Sequence, residues 1–306
     1  MTARVLVTGA GGYLGGCAAA HLAAAGLDVA GTVYRRRAPL PAGVRGIACD
    51  LADGAAVDSL MRSERPDVVV HAAAAVGSNG SPAFAARALR DNLAATAIVA
   101  SAAVEHGCAR VVYCSTISVY GRRPARDPAF AESDPAQPRG AYGQSKYLGE
   151  QALDIVAANS RATAVSLRLA GIHGPPRRTG AVAAMVTAAA AGRPVVVREP
   201  ESRYRFLFID DAVIAVRLAV TAELPAGHHR FNIASGEAAT LAQLAQRIVA
   251  MTKTGSRVES SDGAHARQEA MCIDRARAAL GFAPRSLEDR LPPLIDWLRG
   301  SATSAE

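Results

Sequence analysis

Short apolar runs alternate with alanine-rich stretches of helical length through the first 170 residues of this chain. This alternation is typical of a parallel sheet covered by helices on both faces, because parallel neighbours need a long connection. We therefore predict an α/β fold with a doubly wound parallel sheet. The predicted strands span residues 4–9, 28–34, 46–50, 67–74, 110–116 and 164–170, and the predicted helices span 12–26, 56–64, 82–107 and 141–160.

The run VLVTGAGGYLGG places Gly9, Gly12 and Gly15 between the first strand and the first helix. Glycines at these positions allow a tight turn, a close approach of the backbone to a pyrophosphate, and close packing of the helix. The start of the helix attracts the anion. Because the strand and the helix flank the glycines as this motif requires, we predict a Rossmann-type site for a dinucleotide.

The pattern loosens beyond residue 170. We expect residues 1–170 to form the dinucleotide-binding domain, completed by part of 205–235, and residues 171–306 to form mainly a smaller substrate-binding lobe. In that lobe we predict a helix at 181–191, a strand in RYRFLF that leads into a helix capped by Asp210 or Asp211, and a helix that begins at the cap Thr240.

Two lysines, Lys146 and Lys253, occur among the 34 basic residues, and Lys146 lies four positions after Tyr142. Residues at this spacing share one face of a helix. A lysine in an arginine-rich chain suggests a task that needs a compact, rotatable ammonium, such as contact with a phenol. A tyrosine titrates near pH 10 in model peptides, so an adjacent cation is needed before it exchanges protons near neutrality.

The end of the second predicted strand indicates which dinucleotide is bound. An acidic residue there would bond the ribose 2'-hydroxyl of NAD(H), but this chain has Tyr34 followed by Arg35, Arg36 and Arg37. Arginines can pair with a 2'-phosphate, so we favour NADP(H) over NAD(H). The alternative is that these arginines form only a solvated loop.

Composition argues against several other classes of protein. The net charge is +7, but the arginines are scattered and aromatic residues make up only 5% of the chain, so we expect no nucleic-acid partner. We expect no signal peptide or membrane span, and five widely spaced cysteines favour reduced thiols in the cytosol. We expect no metal site and interpret His228-His229 as a loop pair.

Further motifs follow in a characteristic order: CDL at 49–51, HAAAA at 71–75, NLAAT at 92–96, STISVYG at 115–121, YGQSK at 142–146, LRLAGIHGP at 167–175, FIDDA at 208–212 and FNIASG at 231–236. Together with the glycine run, they give a sequence that resembles the extended short-chain dehydrogenase/reductase family, also called the NAD-dependent epimerase/dehydratase family. The resemblance covers at least three quarters of the chain.

The resemblance implies roles for particular residues. Thr116 would bond the substrate carbonyl, Tyr142 would be the general acid/base, and Lys146 would hold the ribose hydroxyls and lower the pKa of the tyrosine. Ser115 would lie with Thr116 in the substrate site. The cofactor contacts implied, besides the glycines, Tyr142 and Lys146, are Tyr13, Leu14, Arg35, Arg36, Asp50, Leu51, Ala72, Ala73, Ala74, Asn92 and Cys114.

The sequence also departs from the family's patterns. Sugar dehydratases carry Asp-Glu directly after the catalytic threonine, where this chain has Ile117-Ser118, so dehydration is not expected. Epimerases commonly carry an asparagine in place of Gly171 and an Arg-Asp-Phe-x-His run in place of 204–208. Phosphates of a nucleotide sugar would then be met from other positions, for which we consider Arg177, Arg198, Arg203 and Arg205.

The leading hypothesis is an NADP(H)-dependent ketoreductase that acts on a nucleotide-activated deoxysugar. The alternatives are a nucleotide-sugar epimerase with retained NAD, a reductase of a small aldehyde or natural-product ketone, and a non-catalytic module that senses NADP. The resemblance also implies a homodimer formed through the helices at 82–107 and 141–160, although the same alanine faces can simply cover the sheet.

Overall fold

A computed structural model describes residues 2–34, 39–77, 81–261 and 266–300. In chain order, the strands are β1 Arg4–Thr8, β2 Asp28–Val33, β3 Val44–Ala48, β4 Val68–His71, β5 Arg110–Thr116, β6 Thr163–Leu169, β7 Ile172–His173, β8 Val195–Arg198, β9 Arg203–Tyr204, β10 Leu207–Phe208, β11 Gly227–Ile233, β12 Ala239–Thr240, β13 Val258–Ser261 and β14 Gln268–Glu269. The helices are α1 Tyr13–Ala24, α2 Gly54–Glu64, α3 Pro82–Ala88, α4 Ala95–Glu105, α5 Gly140–Ala158, α6 Ala181–Ala190, α7 Ile209–Thr221, α8 Leu241–Thr252, α9 Asp274–Leu280 and α10 Leu287–Gly300.

The main sheet has seven strands in the order β11-β6-β5-β4-β1-β2-β3. All six pairings between these strands are parallel, which confirms the doubly wound α/β class. From β1 the chain builds outward through β2 and β3, then returns to the other side of β1 with β4. This reversal opens a crevice at the carboxyl ends of β1 and β4, where ligands bind in such folds.

Apolar clusters cover both faces of the sheet. On one face, α1 and α7 pack over the central strands, with Leu22 and Val216 fully buried. On the other face, α2, α4 and α5 pack over the same strands, with Met61 and Leu153 fully buried. A separate cluster is built within 182–298 from α6, α8, α10 and their neighbouring strands.

The helix predicted at 82–107 is divided by a π-helical segment, Leu89–Ala94. The buried Asn92 lies in this segment and its side chain bonds the backbone of Ala75, beside the crevice. The π-helical segment therefore contains Asn92, the residue that connects this helix to the backbone beyond the end of β4. π-helical turns of this kind are frequent at functional sites.

The predicted cap of α8 is confirmed, whereas the predicted cap of α7 is wrong. Thr240 forms a capping box with Gln243. In contrast, α7 begins at Ile209 without a side-chain cap, and Asp210 and Asp211 lie in its first turn. Their carboxylates pair with the buried Arg290 at 2.8 and 2.5 Å, so they neutralise this cation instead of capping the helix.

The interpretation of His228-His229 as a loop pair is also wrong, because both residues lie within β11. The His228 ring is held between Ser166 at 2.8 Å and Asp154 at 2.9 Å. Burial lowers the pKa of His228 to about 4, so the ring is neutral near pH 7.

The remaining expectations from composition concern thiols, metals and membranes. All five cysteines are free thiols. No group of three or more metal-ligating side chains occurs within the described ranges. No helix in the same ranges is both long and apolar enough to cross a membrane.

Candidate active site

The glycine turn after β1 is shaped by contacts that exclude side chains. Gly9 has a φ of +71°, and a Cβ there would lie 2.7 Å from the Cα of Ala73. A Cβ on Gly15 would lie 2.8 Å from the carbonyl carbon of Gly9 and closer still to its oxygen. The turn therefore lets α1 start directly against the end of β4, as the sequence motif predicts.

A cleft of about 280 Å³ opens at this turn. Gly12 is the N-cap of α1 and offers no side-chain cap, so the first amides of the helix are free of that partner. A backbone cradle without side chains, beside a helix start, fits a pyrophosphate. Seven of the predicted cofactor residues line the cleft: Gly9, Gly12, Asp50, Leu51, Ala72, Ala73 and Ala74.

Other predicted cofactor residues support the cleft from outside its lining. Gly15 packs against Gly9, Leu14 packs against the apolar cluster, and the Tyr13 hydroxyl donates to the carbonyl of Gly174 at 2.7 Å. Arg35 and Arg36 lie outside the described residues. The described part of the cleft wall near Tyr34 contains Arg87, whose Nε donates to Asp91 at 3.1 Å.

Asn92 connects the wall of the cleft to the helix that carries Tyr142. Its amide oxygen accepts from the Ala75 nitrogen at 2.6 Å, and its amide nitrogen donates to the Ala75 carbonyl at 3.1 Å and to Ser145 Oγ at 2.9 Å. The Ser145 hydroxyl in turn donates to the carbonyl of Tyr142 at 2.9 Å. Asn92 therefore fixes two sides of the site relative to each other.

Thr116 and Tyr142 come together where β5 ends and α5 begins. Thr116 is buried, and its hydroxyl caps a short 3₁₀ helix, Ile117–Val119, by accepting from the Ser118 nitrogen at 3.2 Å. Burial raises the pKa of Tyr142, and a hydrogen bond to Thr116 lowers it in part. The family resemblance implies this pair, and the two side chains are hydrogen-bonded in the structure.

Lys146 lies one helical turn after Tyr142 and is 2% exposed. Burial lowers its pKa to about 8, opposed by the nearby Cys114 and Glu150. Cys114 is itself buried beside Tyr142 and Lys146, and burial raises its pKa to about 11. Cys114 is thus a neutral thiol that adjoins the predicted catalytic set.

Ser115 is oriented differently from the prediction that it binds substrate. Alternate residues of a strand face opposite sides of the sheet, so Ser115 points away from the side of Cys114 and Thr116. Its hydroxyl donates to Glu150 at 2.5 Å. We correct its assignment: Ser115 supports a buried ion-pair network, in which Arg168 also pairs with Glu150 at 2.7 Å.

A second cavity, of about 310 Å³, begins at Ile117, directly after Thr116. Arg177 and Arg205 line it together with His173, Tyr204 and Glu269. Arg205 Nε and His173 Nε2 are buried without a hydrogen-bond partner within the described part of the chain. Burial lowers the pKa of His173 to about 4, so its ring is neutral near pH 7.

The arginines predicted to bind phosphate are therefore divided. Arg177 lines the second cavity, whereas Arg198 and Arg203 are exposed on β8 and β9, outside that lining. Arg205, which directly follows β9, lines the second cavity together with its neighbours Tyr204 and Phe206. Two lining residues have no predicted role in the site: His173, which lies within the motif LRLAGIHGP, and Glu269, which lies in none of the motifs. Glu269 reaches the cavity because β14 pairs with β9.

Comparisons with known proteins agree with this geometry. The model of the NAD dependent epimerase/dehydratase family matches residues 5–234. The dTDP-6-deoxy-L-talose 4-dehydrogenase (NAD(P)(+)) of Kitasatospora kifunensis is 31% identical over 299 residues, covering 92% of this chain and 91% of that protein.

The dTDP-4-dehydro-6-deoxyglucose reductase of Escherichia coli is 29% identical over 205 residues, covering 64% of this chain and 63% of that protein. The structure of MoeE5 in complex with UDP-glucose and NAD superposes with a TM-score of 0.81 at 28% identity, covering 98% of this chain and 99% of that one. The chain belongs to the NAD dependent epimerase/dehydratase family and is an NAD(P)-dependent oxidoreductase.

Proposed function

We propose that the protein is a ketoreductase that acts on a keto group of a nucleotide-activated deoxysugar. The observation that carries the proposal is that the Thr116–Tyr142 pair lies next to residues of both cavities. Ile117, directly after Thr116, lines the arginine-containing cavity, and Tyr142, which bonds Thr116, packs against the cluster containing Ala75, a residue of the dinucleotide cleft. A carbonyl at Thr116 would therefore have a phosphate-binding region on one side and the dinucleotide cleft on the other.

The residues of the site have complementary roles in this reaction. A bound nicotinamide supplies hydride to the carbonyl carbon. The Thr116 hydroxyl donates a hydrogen bond to the carbonyl oxygen, and Tyr142 delivers the proton that this oxygen gains. The Lys146 ammonium would favour the phenolate left on Tyr142 and would hold the ribose hydroxyls of the cofactor.

The second cavity supports a diphosphate-bearing substrate. Guanidinium groups bind phosphate oxygens with paired hydrogen bonds, and Arg205 Nε is a buried donor that lacks a partner in the described structure. Two relatives reported above are named for activities on dTDP-linked deoxysugars. We propose that Arg177 and Arg205, rather than Arg198 or Arg203, bind the diphosphate.

We further propose that NADP(H) is preferred over NAD(H). Tyr34 follows β2 where an acidic residue would select the free 2'-hydroxyl, and three arginines follow it in sequence. Titration of the protein with NADPH and with NADH, monitored by nicotinamide fluorescence, tests this preference. A dissociation constant for NADH equal to or lower than that for NADPH would overturn it.

The proposed activity is tested by following NADPH oxidation at 340 nm with 4-keto deoxysugars linked to dTDP and UDP. Tyr142→Phe should lower kcat by about 10²-fold or more, because the proton donor is lost. The matched control is Tyr147→Phe in the same helix, which should retain turnover. Undiminished activity in Tyr142→Phe would refute the mechanism.

Other outcomes distinguish the alternative functions. An NAD molecule that remains bound through purification, with conversion of one nucleotide sugar to its epimer and no net oxidation, would replace the reductase by an epimerase. Turnover confined to ketones that lack phosphate would overturn the proposal that Arg177 and Arg205 bind a substrate diphosphate. Tight NADP binding without turnover of any of these substrates would indicate a sensing module.

A homodimer through the helices of residues 82–105 and α5 is also proposed. Large apolar side chains are exposed along these helices, with exposures of 53% for Leu89, 40% for Leu148 and 67% for Ile155. Burial of such side chains in a symmetric contact would remove them from water. Light scattering of Ile155→Glu beside the unaltered protein is the test, and a monomeric unaltered protein would overturn this proposal.

A further inference from the structure

The ammonium of Lys146 lies against an aromatic face. Lys146 Nζ is 4.2 Å from the centroid of the Tyr113 ring, within the range of a cation–π contact. Both side chains are buried, Lys146 at 2% exposure and Tyr113 at 0%. The Tyr113 ring face is the direct contact that the structure shows for this ammonium. The ring is therefore the group that meets the charge directly.

The Tyr113 ring is fixed on every side. One side stacks on the His71 ring, with centroids 5.7 Å apart and planes 15° apart. The His71 ring is held between Thr8 Oγ1 at 2.7 Å and Thr96 Oγ1 at 3.0 Å. At the other end, the Tyr113 hydroxyl donates to the Lys146 carbonyl at 3.4 Å.

Gly149 closes the remaining space around this ring. A Cβ on Gly149 would lie 2.9 Å from the Tyr113 Cζ and closer still to the hydroxyl, so α5 approaches the ring as near as a backbone can. The tyrosine is thus clamped between β4 and α5 and presents one face to Lys146. A ring held this tightly can fix the position of the Lys146 ammonium, although the lysine side chain itself is flexible.

We propose that Tyr113 is a positioning residue for Lys146, whose ring face holds the ammonium beside Tyr142 at the carboxyl end of β5. This inference rests on the proposed role of Lys146 in hydride transfer. The stack also reaches the cofactor cleft, since Thr8 Oγ1 accepts from the Ala73 nitrogen at 3.4 Å. The connected side chains of Thr8, His71 and Tyr113 therefore help to position both the Lys146 ammonium and the cleft wall at Ala73.

Cys114 and Glu150 favour the Lys146 ammonium electrostatically, and the Tyr113 ring is in direct contact with it. On its own helix, Tyr142 is protonated near neutrality, and the Glu150 carboxylate is already bonded by Ser115, Arg168 and Arg230. From β5, Cys114 is a neutral thiol because burial raises its pKa to about 11.

From β4, His71 adds no charge either. Burial lowers its pKa to about 3, and the proximity of Lys146 lowers it further, so the ring is neutral near pH 7. A neutral His71 can stack on Tyr113 without repelling the nearby Lys146 ammonium. The electron density of the Tyr113 ring is therefore the local property that an experiment should vary.

The test replaces Tyr113 by phenylalanine and then by mono-, di- and trifluorinated phenylalanines, which withdraw electrons from the ring face while retaining its shape. The protein is labelled with ¹⁵N-lysine, and the pKa of Lys146 is followed by NMR. Because Lys253 is the second lysine of the sequence and is exposed, it gives an internal reference signal. Lys253→Arg assigns the two signals.

We expect Tyr113→Phe to keep the pKa of Lys146 within a few tenths, and the trifluorinated ring to lower it by about one pH unit, with intermediate rings between. The Lys253 signal should not change. A Lys146 pKa that stays constant along the series would overturn the proposal, as would an equal change at Lys253.

The activity measurement separates this inference from the proposed function. If Tyr142→Phe retained full turnover, the mechanism would fail, yet the NMR series would still report on the contact between ring and lysine. If the mechanism holds, the high-pH limit of kcat should move down along the fluorinated series in parallel with the Lys146 pKa. A kcat profile that does not follow the lysine would overturn the positioning role.

Discussion

Replacing Glu150 by glutamine should destabilise the fold more than almost any other single change of a polar side chain. The Glu150 side chain is 0% exposed and pairs with Arg168, 4% exposed, and with Arg230, 22% exposed. Arg168 spans further to the Tyr120 hydroxyl at 2.9 Å. Glutamine keeps the shape but removes the charge that compensates a buried guanidinium.

The expected magnitude follows from this burial. Removing one partner of a buried ion pair costs about 3–5 kcal/mol, because the remaining charge is left uncompensated in a poorly polarisable surrounding. Asp154 provides a matched control, since it pairs with the same Arg230 but its side chain is 40% exposed. Solvent screens such a pair, so Asp154→Asn should cost under about 1 kcal/mol.

Urea unfolding at neutral pH, followed by far-ultraviolet circular dichroism, measures both free energies of unfolding. Adding Arg168→Met to the glutamine variant should cost less than the sum of the two single changes, because neither charge is then left alone. A Glu150→Gln variant within about 1 kcal/mol of the unaltered protein would refute the reasoning. Losses of equal size in Glu150→Gln and Asp154→Asn would refute it as well.

Three other changes test different parts of the site. Lys146→Arg should lower kcat by at least about tenfold, because a planar guanidinium cannot replace the ammonium between ribose and phenol, and steady-state kinetics measures this. Gly15→Ala should weaken cofactor binding by about tenfold or more, since its Cβ would overlap the Gly9 carbonyl, whereas Gly54→Ala, which meets no atom within 4 Å, should not. The free energy of unfolding should fall as pH decreases from about 6.5 toward 3, because the unfolded state binds a proton that buried His71, with a pKa of about 3, does not. Urea unfolding measures this profile, and His71→Asn should reduce its slope, while His173 and His228, with pKa values of about 4, maintain the rest.

The sequence was sufficient for the parts of the molecule that depend on local pattern. Strand periodicity predicted six of the seven strands of the main sheet, all except β11, and the three glycines predicted the turn because few other residues fit there. The Tyr142–Lys146 spacing predicted a shared helix face, to which the end of β5 adds Thr116. In each case the residues of one short segment are enough to determine its local structure.

Side-chain partners from distant segments could not be predicted in the same way. Asp210 and Asp211 have the chemistry of helix caps, but Arg290, about eighty residues later, recruits both carboxylates. His228 belongs to a polar doublet that suggests a loop, yet Ser166 and Asp154 satisfy its ring inside a strand. In both cases the partner comes from a distant part of the sequence and lies beside the residue only in the folded protein.

Arg203 and Arg205 show that sequence alone also cannot select the phosphate-binding arginines of the proposed site. Arg203 and Arg205 are both near the end of β9, and composition cannot distinguish them as ligands for phosphate. The structure distinguishes them by burial, because Arg203 is exposed while Arg205 Nε is enclosed without a partner in the described residues. A buried donor without an acceptor costs free energy in the unliganded protein, and a phosphate oxygen would remove that cost on binding. Substrate recognition in this chain is therefore best sought where the fold leaves a polar group unsatisfied, rather than where the family's sequence pattern places an arginine.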